Sequence, residues 1–527
     1  MSISRDPRLW PALAVGAFGF AVSFALSWIP SLDFNEAATV ISALRPWPAL
    51  WQEIHHVDAV HASYYAFMHL WFDLVGYTPL TLRIPASIAA GVTAALLVVL
   101  GTRLAGRLHG VVAGLIFAVL PQSMWMGFEG RQYEASMALA TGMVLVFLVA
   151  HRRTIHGERS WPWWCGYGLL SIVSQYIFGY LFMVDIGLAV LLVLPLLRRT
   201  TRSRAGLRSL GRFGLAVGCA VVAWVPLAVL EVHEQGQVSW ITGITLGTAD
   251  QVLVSQFFPG APFFAVVGWL AAIAGGVAGV VAWRRGIRSP ARRVASVALP
   301  WLLIPTTLLL VATAFGHHLY YPRYVAFSAP ALALLIAVPF TWLWRLPVPA
   351  LGRASLEWVR RRRQTVWTAV AIAAVFALVA PTWAAQRTPG SKEADAWNQI
   401  AAVITAERKE EPKGARNVVV FGAAHAHKVA TSQVIGDLYP QAFRGMDDIT
   451  LAQSYDRTHS LWDTSRPLDA VLSRTRGANY VWVLTTVQSH QAPADISMLA
   501  KVGFRVNERW QMNKEVVVQL VHAPKPV

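Results

Sequence analysis

Four carboxylates and three histidines fall between Ser31 and Tyr65: Asp33, Glu36, Glu53, Asp58, His55, His56 and His61. The stretch follows an apolar run long enough to cross a bilayer, and acids are otherwise scarce in the first two thirds of the chain. Carboxylates at a membrane edge are costly to desolvate, so a cluster of them points to chemistry more readily than to packing. A positioned carboxylate, Asp33 or Glu36, can take the proton from an attacking hydroxyl. Arg131 and Arg323, at the ends of later apolar runs, can neutralise a departing phosphate. These residue types together suit transfer of a group from a phosphate ester to a hydroxyl.

The elements that must position them are membrane helices. The chain has 527 residues, 55% of them hydrophobic and only 14% charged, with a mean hydropathy of +0.46, which is the composition of a polytopic membrane protein. The net charge of +17 comes from short arginine clusters between apolar runs, not from one amphipathic face. That pattern fits cytoplasmic loop bias and speaks against a nucleic-acid partner. Cys165 and Cys219 lie in apolar stretches and are expected to be small buried hydrophobes. The first apolar run lacks a small-residue cleavage pattern, so it reads as a retained helix.

About 20 apolar residues are needed per crossing, and the hydropathy pattern predicts about eleven. They cover roughly residues 10–30, 82–102, 109–127, 134–151, 162–177, 180–197, 212–231, 262–283, 294–315, 324–344 and 366–385. With the N-terminus in the cytoplasm, the dense arginine clusters fall on one side, including Arg198 to Arg212, Arg284 to Arg293 and Arg345 to Arg363. The acidic loop, Glu129, the loop from Glu231 to Gly260, His317 and everything after residue 386 then share the opposite, extracytoplasmic face. A multi-pass protein of the cell membrane follows.

Composition changes at about residue 387. No lysine precedes Lys392, whereas seven follow from there on. SKEADAWNQIAAVITAER and HKVATSQVIGDLY have helical periodicity, and NVVVFG, NYVWVLTT, FRVNERWQM and EVVVQLVHA read as strands. We therefore expect residues 1–386 to form a transmembrane domain carrying the catalytic loop 31–81, and residues 387–527 a soluble extracytoplasmic α/β domain. FGAAHAH lacks the spacing of a dinucleotide-binding turn.

Four segments, SLDFNEAATV, VHASYYAFMHLWFDLVGYTPLTLRIPASIAAG, FEGRQYEASMALA and YYPRYVAFSAPALALL, resemble the glycosyltransferase C superfamily. Within it the pattern is similar to bacterial relatives of the protein O-mannosyltransferases and the aminoarabinose transferase. The resemblance runs to about residue 345, in the family's order and spacing. Glu36 and Ala37 match the end of an Asp-Glu-Ala motif, but Asn35 stands where the family usually has aspartate, so Asp33 or Glu36 must serve as base. His61 matches the histidine of a second motif with Asp58 three residues before it, although Ala62 and Ser63 replace two prolines. Glu129, Arg131 and Tyr133 match a third, and Arg323 with Tyr324 a fourth.

The resemblance implies an integral membrane glycosyltransferase that moves a sugar from a polyprenyl phosphate donor to an envelope glycolipid, glycan or protein. A single displacement inverts the anomeric centre. Mannose is the first expectation and arabinofuranose the second. A lipid-linked sugar flippase, or an inactive scaffold, is the rival from another class. Arg131 and Arg323 would bind the donor phosphate, while Asp58, His61, Glu129, Tyr133, Trp240, His317 and Tyr324 would bind or orient substrate. Glu129 and Arg131 are two apart and share no helix face, so one of them is expected to be structural. The loop histidines and carboxylates could hold magnesium or manganese, although their spacing matches no zinc pattern; no other cofactor is indicated. Asp185, inside a predicted span, is expected to be paired within the bundle.

Overall fold

The computed structural model describes residues 9–197, 203–343, 374, 377–392, 395–421, 433–487 and 492–522. The chain divides into two compact units. One takes the residues up to Ala25 with Arg83–Ala385; the other takes Leu26–Leu82 with Gln386–Val527.

The first unit is helical. Among the described residues, seven helices are long and apolar enough to cross a membrane: Pro79–Ala105, Tyr133–Ile155, Gly179–Leu197, Arg204–His233, Pro262–Arg284, Pro290–Ala314 and Pro322–Thr341. Three further expected spans coincide with shorter helices. Leu9–Phe24 has 16 residues, Trp161–Ile177 has 17, and Arg107–Ala118 has 12 because the chain breaks before Pro121, whose ring restarts it as the short helix Pro121–Met126. Most of the expected span 366–385, and the arginine cluster from Arg345 to Arg363, lie outside the described residues.

Small residues set how closely these helices approach. A Cβ on Gly275 would stand 2.4 Å from the Leu335 carbonyl oxygen, and one on Gly279 would stand 2.2 Å from the Ala295 Cβ. In a medium as apolar as the side chains, close backbone packing is what favours association. Asp185 is paired as expected: it accepts from Tyr167, from Ser171 Oγ at 3.0 Å and from Gln175 Nε2 at 3.2 Å. Cys165 and Cys219 correct the expectation of burial. Both are exposed on apolar helices, because in a membrane protein an apolar position need not face the protein interior.

The second unit is α/β. Its five-stranded sheet runs Asp447–Asp448, Asn417–Phe421, Tyr480–Thr486, Glu515–His522 and Phe504–Met512 in spatial order. The first three strands are parallel and the last two join antiparallel. The central strands are continuous apolar runs, as strands covered on both faces require. Trp397–Glu410 is the predicted helix, while the second predicted one is reduced to Val434–Leu438 among the described residues, and the FGAAHAH run after Phe421 lies outside them.

The loop 31–81, expected within the membrane domain, packs in this second unit. Leu32, Phe34, Ala37, Val40 and Ile41 share one core with Trp397, Ile400, Ile404, Val419 and Trp482. An amphipathic helix shows its apolar face in the sequence but not what will cover it.

Candidate functional site

In the second unit, Asp33 caps the helix Phe34–Ala43. Its backbone is extended, and its Oδ1 accepts from the Glu36 amide at 2.8 Å, a placement that the helix dipole favours for an anion. Glu36 lies one turn further on and is 0% exposed, against 4% for Asp33. Lys392, also 0% exposed, faces both: its Nζ is 3.0 Å from Glu36 Oε2 and 3.8 Å from Asp33 Oδ2. Asp33 is thus turned inward, while Asn35 stays partly exposed.

Segments far apart in sequence hold this arrangement. The Ser31 amide donates to the Pro389 carbonyl, the Trp397 amide donates to Ser31 Oγ, and Asn398 Nδ2 donates to the Ile29 carbonyl, each at 3.0 Å. Beyond them Asp395, fully buried, pairs with Lys514 at 2.9 Å. Burial pushes the Asp395 carboxyl up to about 8 in spite of that partner, and pushes neighbouring Glu515 up to about 7.

Asp58, His61 and Tyr65 form a second group in the loop. Asp58 adopts a left-handed backbone at φ 63°, which aspartate tolerates better than most residues. Its carboxylate accepts from the Tyr65 hydroxyl and lies 3.7 Å from His61 Nε2. Glu53 has a structural role: it pairs with buried Arg45 at 3.0 Å and accepts from Ser42. Arg45 in turn donates to the carbonyls of Tyr455, Thr458, Ser460 and Leu461. His55 and His56 are exposed, each with Nδ1 against a carbonyl one turn back. Among the described residues no three of His, Cys, Asp or Glu gather as a metal site requires.

In the first unit, Glu129, Arg131, Tyr133, Arg323 and Tyr324 come together. Glu129 and Arg131 occupy a turn, with the Arg131 amide donating to the Glu129 carbonyl at 2.7 Å, and both are buried. They lie in a turn between helices, so the helix-face argument for expecting one of them to be structural does not apply here. Arg323 Nη1 stands 3.9 Å from Glu129 Oε1. Its guanidinium lies over the rings of Tyr321 at 4.9 Å and Tyr133 at 5.8 Å, an arrangement worth more where water is excluded. Tyr324 packs against Tyr133 and Tyr180. Arg323 Nε is buried with no hydrogen-bond partner among the described residues.

Trp240 is half exposed and meets Tyr321 edge to face at 5.0 Å. His317 is exposed, whereas His318 approaches the Ile241 carbonyl through Nδ1 at 3.1 Å. Among the buried ionisable residues that sequence reasoning missed are Lys392, Asp395, Arg45 and Glu134. Lys392 carried a signal, being the first lysine of the chain. Glu134 also carried one, as an acid at the head of an apolar run. Asp395 stood in polar surroundings that gave none, and Arg45 stood in the apolar run ALRPWPAL, which named no partner for it.

No family model matches this sequence, and neither does any curated protein. Solved structures do match. ArnT from Cupriavidus metallidurans is similar over 96% of this chain and 97% of its own, with a TM-score of 0.56 at 13% identity for the apo form. The form bound to undecaprenyl phosphate gives the same TM-score at 12% identity. The archaeal oligosaccharyltransferase AglB from Archaeoglobus fulgidus, in complex with an inhibitory peptide and a dolichol-phosphate, matches 97% of this chain and 74% of its own, with a TM-score of 0.50 at 11% identity.

Proposed function

Because the chain has the fold of the glycosyltransferase C superfamily, we propose that it is a membrane glycosyltransferase using a polyprenyl phosphate sugar. The observation that carries the reading is Arg323, a partly buried guanidinium braced by tyrosine faces, whose buried Nε no described residue engages. A partly shielded cation with an unspent donor is suited to a phosphate. That ArnT was solved with undecaprenyl phosphate, and AglB with a dolichol-phosphate, agrees with such a donor.

In this reaction an acceptor hydroxyl attacks the anomeric carbon. The new carbon–oxygen bond forms as the bond to the phosphate oxygen breaks, with inversion. The hydroxyl proton passes to Asp33, whose Oδ2 is less tightly committed to Lys392 than is Glu36. The polyprenyl phosphate departs with its charge stabilised by Arg323 and Arg131. Asp58 and His61 orient the acceptor, Glu129 and Tyr133 hold Arg323 in place with Tyr324, and Trp240 with His317 contacts the sugar. Mannose is the first sugar to test, and arabinofuranose the second. The acceptor is an envelope glycolipid, glycan or protein, reached on the extracytoplasmic face.

The test is transfer by the purified chain from synthetic polyprenyl phosphate mannose, or the arabinofuranose counterpart, into a membrane lipid extract. Wild type should transfer from one donor, and Asp33→Asn should abolish transfer while keeping donor binding. Wild type that binds the carrier yet transfers from neither donor would replace this reading with the flippase or scaffold. A magnesium or manganese requirement is read from the same assay with and without a chelator.

A further inference from the structure

We propose that Lys392 is a positioning residue for the acidic motif, and that the segment around it completes the arrangement of Asp33 and Glu36. The inference rests on the glycosyl-transfer reading above. Its basis is the placement of one buried ammonium 3.0 Å from Glu36 and 3.8 Å from Asp33, together with three hydrogen bonds that tie Pro389, Trp397 and Asn398 to Ile29 and Ser31.

Two carboxylates within one helical turn repel each other, and burial strengthens that repulsion. Without a cation between them, the side chains would move apart or take up a proton. Lys392 removes both escapes at once. It is nearer Glu36, so Glu36 is the anchor, while Asp33 keeps one oxygen on the Glu36 amide and directs the other toward the ammonium at a distance too long for a hydrogen bond. Asp33 is thus held in one orientation with a lone pair unspent, which is the condition of a general base. The hydrogen bonds at Ser31 and Asn398 fix the backbone from which both Lys392 and Asp33 project. A guanidinium in place of the ammonium has the charge but a planar fork of different reach, so arginine should restore part of the geometry.

Because taking a lysine away from a buried carboxylate harms stability by itself, the comparison needs a control of the same kind. Lys514→Met supplies it by removing the ammonium that faces buried Asp395 in the same unit. The full chain is made as wild type, Lys392→Met, Lys392→Arg and Lys514→Met. Each is measured for thermal midpoint, donor binding, transfer rate and amide exchange across residues 33–43. We expect both methionine variants to lower the midpoint. Only Lys392→Met should cut kcat, by about 100-fold, the loss typical of a reacting group displaced by about 1 Å. Its donor affinity should stay within about twofold, because the phosphate is held by arginines. Exchange at the Glu36 amide should rise in Lys392→Met, and Lys392→Arg should recover both the exchange protection and part of kcat.

Equal loss of kcat in the Lys514→Met control would overturn the proposal, as would wild-type kcat in Lys392→Met. If wild type transfers from no donor, the reaction assigned above fails by itself. Amide exchange then decides the positioning role, and unchanged protection in Lys392→Met overturns it.

Discussion

The acidic cluster and the arginine cluster manage buried charge in opposite ways. Around Asp33 and Glu36, the structure supplies a full opposing charge and a helix cap, so the anions are fixed in place. Around Arg323, the nearest carboxylate oxygen is 3.9 Å away and the remaining support comes from aromatic faces. Tyrosine rings brace a cation without consuming its donors. Under the proposed function, one cluster is a reagent held still, and the other a receptor still able to accept charge.

Removing the reagent should have the largest effect. Asp33→Asn is expected to lower kcat by about 10²- to 10⁴-fold, the range for a lost general base, with donor binding unchanged. Arg323→Gln should cost about 10²- to 10³-fold and weaken donor binding as well. Measured side by side, identical effects on donor affinity would erase the distinction between the clusters.

The next effect is on stability. Arg45→Met takes the facing guanidinium away from buried Glu53 and should destabilise the protein by about 3–5 kcal/mol, read as a lowered unfolding midpoint. Simultaneous Glu53→Gln should recover much of the loss. An Arg45→Met protein as stable as wild type would mean that the pair contributes nothing.

Acidity probes the charges next to the reagent. Asp395 and Glu515 bind protons more tightly in the folded chain than when exposed, with folded values of about 8 and about 7, burial being the main cause. The folded state therefore holds more protons between the ordinary carboxylate range and those values, so stability falls as pH rises from 5 to 8. Each group contributes at most about 1.4 kcal/mol per pH unit within its window. Unfolding midpoints at pH 5, 6, 7 and 8 should fall in sequence, and a rising series would refute the assignment. The smallest expected change is Ser31→Ala, which removes the acceptor of the Trp397 amide at about 1 kcal/mol. A thermal melt compared with wild type checks it.

What the sequence revealed and concealed divides along physical lines. Apolar runs mark helices wherever they are, so the long spans were legible in place though not at their ends, and the strands Asn417–Phe421 and Glu515–His522 were legible too. Pairing between distant residues leaves no periodic trace. The motif around Asp33 was visible, yet that Asp33 turns inward beside Glu36 rests on a capping geometry that only the folded loop displays. For Glu129 and Arg131, a spacing argument drawn from helix faces has no purchase where the chain turns. Lys392 stood out in composition but had no motif to give it a role.

The tie between Ser31 and Trp397 joins residues 366 positions apart. During synthesis the acidic motif leaves the ribosome early, and the lysine that faces it is made only after the membrane helices that separate them in sequence. A nascent chain therefore carries the acidic motif through most of its insertion without its partner cation. Under the proposed function, the enzyme would acquire full activity only once Lys392 and Trp397 have followed those helices out of the ribosome.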